Sequence, residues 1–206
     1  AELGFSFDVV STGMILSAEQ AALVSDFCEQ SAKKGALVFV DPIMGDEGKL
    51  YNGVGEETIA HMRKMVAVAD CIVPNYTEAA YLADMPYHED MTEEEARALT
   101  IRLHEMGAKS VVVTSAKVDG ENCVVGYDGT EGEFFRIPFD LIPVRFVGTG
   151  DIFAAVMLGR LVDGVPLQES THRAMDAVRT MIDRNRDKED KYLGIPIETC
   201  LEVLDE

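Results

Sequence analysis

The sequence predicts an α/β fold: a mainly parallel sheet flanked by helices on both faces, with an antiparallel hairpin as a flap. Three observations carry this. Short apolar runs of strand length, such as A-L-V-F-V at residues 36–40 and the V-V-V core of residues 110–114, suit strands covered on both faces. These runs alternate with capped stretches long enough for helices, which implies right-handed crossovers and parallel pairing. Late in the chain the period changes, and residues 122–128 and 133–139 flank the turn Gly129, Thr130, Glu131, Gly132, as in a hairpin.

Taken in order, F-D-V-V-S at residues 7–11 reads as a short buried strand ending in Thr12 and Gly13. The S-x-x-Q spacing of Ser17 and Gln20 is that of a capping box, and the helix it starts stops at Gly35. The strand at 36–40 ends in Asp41 and Pro42, and a loop rich in Gly and charge (43–55) leads to a helix over about residues 56–69. Residues 71–73 form the next strand, which runs through Pro74 into a helix opening at Asn75. T-E-E-E at 92–95 caps a helix that ends near Gly107, and 110–114 is a central strand ending at Thr114. After the hairpin, an apolar strand-like run at 144–147 leads into a helix, and two further helices follow at about 167–184 and 196–204. The charged residues 184–191 between them read as a solvated connection.

With 206 residues and 47% apolar side chains, the chain suits one domain spanning 1–206 with a full core. It opens without Met, as though partway through a unit, so the domain is expected to lack its N-terminal part. Against 37 Asp+Glu stand 18 Lys+Arg, a formal charge of -19 with no basic stripe, which argues against nucleic acid and anionic membrane surfaces as partners. An anionic substrate would need a metal or a few placed donors. The four scattered cysteines show no metal-ligand spacing and suit a reduced, cytoplasmic protein. No apolar run approaches the length of about 20 residues needed to span a bilayer.

The chemistry concentrates at V-G-T-G-D-I-F-A-A. Gly148, Thr149 and Gly150 form a glycine-bracketed turn, Asp151 follows, and the helix beyond is so apolar that it is expected to be buried all round. The first-turn N–H groups lack helical partners and glycine lets a ligand approach, so the turn is an anion cradle. A carboxylate there suits general-base work in phosphoryl transfer, although Asp is also a common helix cap. Asp41, Asn75, Thr114 and the stretch 148–151 each follow a predicted strand. Ligands in such sheets collect beyond the carboxyl strand ends, so these four places are expected to share one edge.

In order and spacing, D-P-I-M-G-D-E-G-K-L-Y (41–51), P-N-Y-T-E (74–78), V-V-V-T-S (111–115) and G-T-G-D-I-F-A-A (148–155) resemble the pyridoxal kinases of the ribokinase-like superfamily. The resemblance implies that Asp151 accepts the proton of the substrate's 5'-hydroxymethyl group while Gly148, Thr149 and Gly150 stabilise the transferred phosphoryl group. It implies that Asn75 and Glu78 hold Mg2+ at the phosphates of ATP, directly or through water, while as a bare N-x-x-E the pair would equally be a capping box. Asp41 and Asp46 would face the nucleotide, with Asp46 and Thr114 able to help hold a monovalent cation such as K+. Thr114 and Ser115 would meet the phosphates, residues 116–122 with the hairpin would form a flap over ATP, and Phe146 and Val147 would line the pocket unless they are core. Met14 stands where relatives often carry a Tyr against the substrate ring. The implied partners are a small-molecule substrate and MgATP, in a homodimer. A hydroxymethylpyrimidine kinase is the nearest alternative, although that family typically places Cys where this chain has Asp151; a non-catalytic ligand-binding relative is the other.

Overall fold

The structure is a computed structural model that describes residues 5–204. Its chain divides into two compact units, residues 1–139 and 140–206. In the first, strands β1 (Val9–Thr12), β2 (Leu37–Val40), β5 (Cys71–Ile72), β6 (Ser110–Val118), β7 (Glu121–Asp128) and β8 (Glu133–Pro138) form one sheet in that order. The pairings β1–β2, β2–β5 and β5–β6 are parallel, while β6–β7–β8 is an antiparallel meander. A two-stranded ribbon, β3 (Gly45–Asp46) and β4 (Lys49–Leu50), lies within the loop after β2. Helices α1 (Ala18–Ala32), α2 (Glu56–Val66), α3 (Tyr76–Ala83) and α4 (Glu93–Glu105) pack as a row, each on the next.

Alternation along the strands explains the core. Val38, Val40, Ile72, Val111 and Val113 share a cluster with Met62, Met65, Leu82, Leu99 and Leu103 from the helices. Phe39 and Val112 point to the opposite face of the sheet and are also fully buried. Both faces are therefore covered, which is why these strands read as unbroken apolar runs. Helix starts follow the caps in the sequence. Thr92 and Glu95 close a capping box on α4, and Ser17 accepts from the Gln20 N–H on α1 while Gln20 reaches back to the Leu16 N–H.

The second unit holds α5 (Thr149–Val162), α6 (Leu167–Asn185) and two 3-10 turns, Ile197–Thr199 and Leu201–Leu204. Its core gathers Phe146, Ile152, Ala177, Met181, Ile195, Cys200 and Val203.

Four expectations need correction. Residues 144–147 form no strand; Pro143 removes a donor, and the Val144 N–H is bonded back to Ile142 in a local turn. The helix α5 is not buried all round. Ile152, Phe153 and Met157 are buried, but Asp151, Ala155, Gly159 and Val162 fall on one exposed face, where Ala and Gly present little apolar area. The last helix is replaced by the two 3-10 turns, separated by Cys200 at φ -132. Finally, β6 does not stop at Thr114 but continues to Val118 and turns at Asp119 and Gly120 into β7.

Candidate active site

In the first unit, the carboxyl ends of β1, β2 and β5 stand beside the bulge in the middle of β6. The Asp41 N–H donates to the Thr12 carbonyl, the Val73 N–H to Val40, and the Thr114 N–H to Pro74, with Asn75 and Thr114 bridged in parallel. Thr12, Asp41, Asn75 and Thr114 thus form a polar row along one edge, each supplied by a different stretch of chain. Three of the four expected places, Asp41, Asn75 and Thr114, are brought together here; the fourth, residues 148–151, belongs to the second unit and follows an irregular segment rather than a strand. Thr12 was missed by the sequence reading. Its Oγ1 is buried without a hydrogen-bond partner, an unsatisfied hydroxyl at the edge where a polar ligand would be expected. The one available signal was a polar residue closing an apolar strand.

Asn75 and Glu78 form a capping box. Asn75 Oδ1 accepts from the Glu78 N–H at 3.0 Å and Glu78 Oε2 from the Asn75 N–H at 2.9 Å. The same side chains reach the loop after β2: Glu78 Oε1 accepts from the Met44 N–H at 2.9 Å and more distantly from Gly45, and Asn75 Nδ2 donates to the Gly45 carbonyl at 2.7 Å. Glu78 is 3% exposed. Burial pushes its carboxyl up to about 7; the Met44 and Asn75 amides pull it down, and the nearby Asp41 pushes it up again.

A cation fits this arrangement. The buried Glu78 carboxyl is held above its ordinary range, with Asp41 nearby, and a divalent ion would favour its ionised form. Glu78 and Asn75 already spend oxygens on backbone donors, and among the described residues no group of three His, Cys, Asp or Glu could cage a metal. The donor set therefore suits a largely hydrated Mg2+ reached through water.

At β6, Val113 pairs with Val125 and Ala116 with Cys123, so Thr114 and Ser115 together oppose Val124. This is a β-bulge, and Ser115 adopts φ 55 to make it. The bulge turns Ser115 to the exposed side and leaves Thr114 half-buried. Non-glycine residues in this left-handed region are uncommon and cluster at functional sites. Asp46 lies on β3 and caps its own turn by accepting from the Glu47 N–H. Met14 follows β1 and is about half exposed.

In the second unit, Gly148 caps α5 at φ 84, which a side chain would strain, and the first intrahelical bond is Ile152 N–H to Gly148. The N–H groups of Thr149, Gly150 and Asp151 therefore have no helical acceptor, and a Cβ placed on Gly150 would meet open space. Asp151 is exposed, and its carboxylate makes no hydrogen bond or ion pair among the described residues. Chemically this is a donor-rich helix start beside an unengaged acceptor. Phe146 is buried in the core of this unit, whereas Val147 is 61% exposed.

Comparison with known proteins identifies the family. The phosphomethylpyrimidine kinase family matches residues 3–194. Pyridoxal kinase from Arabidopsis thaliana is 32% identical over 171 residues, covering 79% of this chain and 53% of the relative. The Homo sapiens pyridoxal kinase is 33% identical over 171 residues, covering 74% and 53%. The chain spans about half the length of the curated relatives it matches. Among solved structures, a Bacteroides thetaiotaomicron VPI-5482 protein, provisionally called a phosphomethylpyrimidine kinase and crystallised with pyridoxal, superposes with a TM-score of 0.92 at 32% identity, covering 100% of this chain and 73% of that one. Pyridoxal kinase from Lactobacillus plantarum gives 0.84 at 27% identity, covering 99% and 73%. The resemblance read from the four motifs is thus borne out. Matched along nearly its whole length, the chain belongs to the phosphomethylpyrimidine kinase family.

Proposed function

We propose that the protein phosphorylates the 5'-hydroxymethyl group of pyridoxal, pyridoxine or pyridoxamine with MgATP. The observation that carries this is Asp151: an unengaged carboxylate on the first turn of α5, directly after a left-handed glycine and beside free backbone donors. Asp151 takes the proton of the attacking hydroxyl, and the N–H groups of Thr149 and Gly150 stabilise charge on the transferred group. Gly148 gives that turn its conformation. Asp41, Thr114 and Ser115 bind the nucleotide, and Asn75 and Glu78 hold hydrated Mg2+, which when bound neutralises phosphate charge in a protein of net charge -19. Asp46 with Thr114 holds a monovalent cation such as K+, Met14 packs on the substrate ring, and Val147 borders the nucleotide next to the core residue Phe146.

Support for the substrate class comes from the relatives named pyridoxal kinases and the neighbour solved with pyridoxal. The family's own name favours a second reading, phosphorylation of a hydroxymethylpyrimidine. Exposed Leu16, Leu23 and Phe27 support self-association as a homodimer, and four free, buried cysteines support a reduced, cytoplasmic setting. No described helix is long and apolar enough to cross a membrane. Product formation from pyridoxal, pyridoxine, pyridoxamine and hydroxymethylpyrimidine under MgATP, with and without Asp151→Asn, tests the proposal. A preference for the pyrimidine, or full activity in the variant, overturns it.

A further inference from the structure

We infer that Thr77 is a positioning residue for the nucleotide end of the proposed reaction, acting through the β3–β4 ribbon that it holds against α3. Thr77 is 3% exposed, so its hydroxyl does not face a ligand. Its Oγ1 instead accepts the Gly48 N–H at 2.8 Å, across 29 residues of sequence. Gly48 is the ribbon's turn residue, at φ 76, and a Cβ there would lie 3.0 Å from the Tyr87 ring. Tyr87 stacks on Tyr76, the first residue of α3, at 4.8 Å between ring centroids. Thus Tyr76, Thr77 and Glu78, with the cap Asn75, all reach to the same loop: Asn75 to the Gly45 carbonyl, Glu78 to the Met44 and Gly45 N–H groups, Thr77 to the Gly48 N–H, and Tyr76 through Tyr87 to the face of Gly48.

The first turn of α3 is therefore a clasp with two ends. Asn75 and Glu78 hold the strand-side end of the ribbon, next to Asp41, and Thr77 holds the turn. Asp46 sits between the two fixed points, one residue after Gly45 and two before Gly48. A loop fixed at one end swings about it, whereas fixing both ends sets where Asp46 lies. Without the Thr77 acceptor the Gly48 N–H loses its partner and Asp46 gains freedom, yet no group that touches the nucleotide or its metal is removed.

This inference rests on the proposed kinase reading, and its test separates the two. Thr77→Val keeps shape and removes the acceptor; Thr77→Ser restores it. MgADP and MgATP-analogue affinity by titration calorimetry, the KM for MgATP and the kcat are compared with thermal unfolding. Loss of one amide–hydroxyl bond weakens nucleotide binding about three- to tenfold in Thr77→Val, and serine brings it back to within about twofold of the parent. The KM for MgATP rises by the same factor, kcat changes little, and the Gly48 amide loses protection from hydrogen exchange. If the parent binds no nucleotide, the kinase reading fails and this inference with it. If the parent binds and Thr77→Val binds as well, or if Thr77→Ser is as impaired as Thr77→Val, only the positioning role of Thr77 is overturned.

Discussion

Replacing Glu78 with Gln should change the pH dependence of stability in a way no surface carboxylate would. In the folded protein, burial raises the Glu78 carboxyl from its ordinary 4.5 to about 7. A raised folded-state value means that between these two pH values the native protein holds a proton that the unfolded chain has released. The contribution to stability is present below about pH 4.5 and is lost as pH rises through about 7. The full difference across that window is on the order of 3 kcal/mol. Gln does not titrate, so its stability carries no such slope. It has a separate, pH-independent cost: its amide nitrogen faces the Asn75 N–H in place of an acceptor, about 1–3 kcal/mol. Glu78→Gln should therefore be the less stable protein near pH 5 and should draw level with or pass the parent near pH 8, a relative change of about 3 kcal/mol. Urea unfolding in metal-free buffer followed by far-UV circular dichroism measures this, since the chain has no Trp for fluorescence. Taking the variant-minus-parent difference at each pH cancels every other carboxylate. A constant difference from pH 5 to 8 would mean that Glu78 titrates in the folded protein as it does in the unfolded chain, against the raised value.

Asp151→Asn should fold like the parent, because the side chain is exposed and unengaged, while turnover falls about 100-fold or more, as for loss of a general base; matched steady-state kinetics and thermal unfolding decide it. Gly148→Ala should destabilise by about 1–2 kcal/mol, because the cost lies in φ 84 alone: the new Cβ would only touch Asp151 Oδ2 at an ordinary 3.7 Å. An unchanged melting temperature in that variant would mean the turn relaxes without strain. If Glu78 and Asn75 hold hydrated Mg2+, Glu78→Gln should raise the Mg2+ concentration for half-maximal activity several-fold, and an unshifted Mg2+ titration assigns Glu78 to the clasp and cap alone.

How far the sequence could be read depended on whether a feature was local. The capping boxes at Asn75–Glu78 and Thr92–Glu95 and the parallel strands at 37–40, 71–72 and 110–113 depend on residues a few positions apart, and their signals were sufficient. Asp41 and Asn75, just past their strands, fell into one row with Thr114 because parallel crossovers align carboxyl ends, although β6 itself runs on beyond Thr114. What escaped depends on distant partners. The bulge at Thr114 and Ser115 exists because β7 supplies one residue opposite two, and nothing within V-V-V-T-S announces that. The β3–β4 ribbon has strands of two residues and is kept in place by α3, 29 residues away. Residues 144–147 have the composition of a strand, yet Pro143 and the bond from the Val144 N–H back to Ile142 turn the backbone locally, which apolar composition does not reveal. The apolar content of α5 concealed an exposed face because Ala155 and Gly159 are apolar but small.

Transfer of labelled γ-phosphate from ATP to pyridoxal by the purified protein, measured with Mg2+, after chelation, and in Asp151→Asn, is the decisive measurement of Asp151 as the general base of a metal-dependent kinase. Pyridoxal 5'-phosphate is expected from the parent with Mg2+, and little from the chelated sample or the variant. Labelled product formed at the parent's rate by Asp151→Asn, or transfer to hydroxymethylpyrimidine in preference to pyridoxal, pyridoxine and pyridoxamine alike, would overturn that reading.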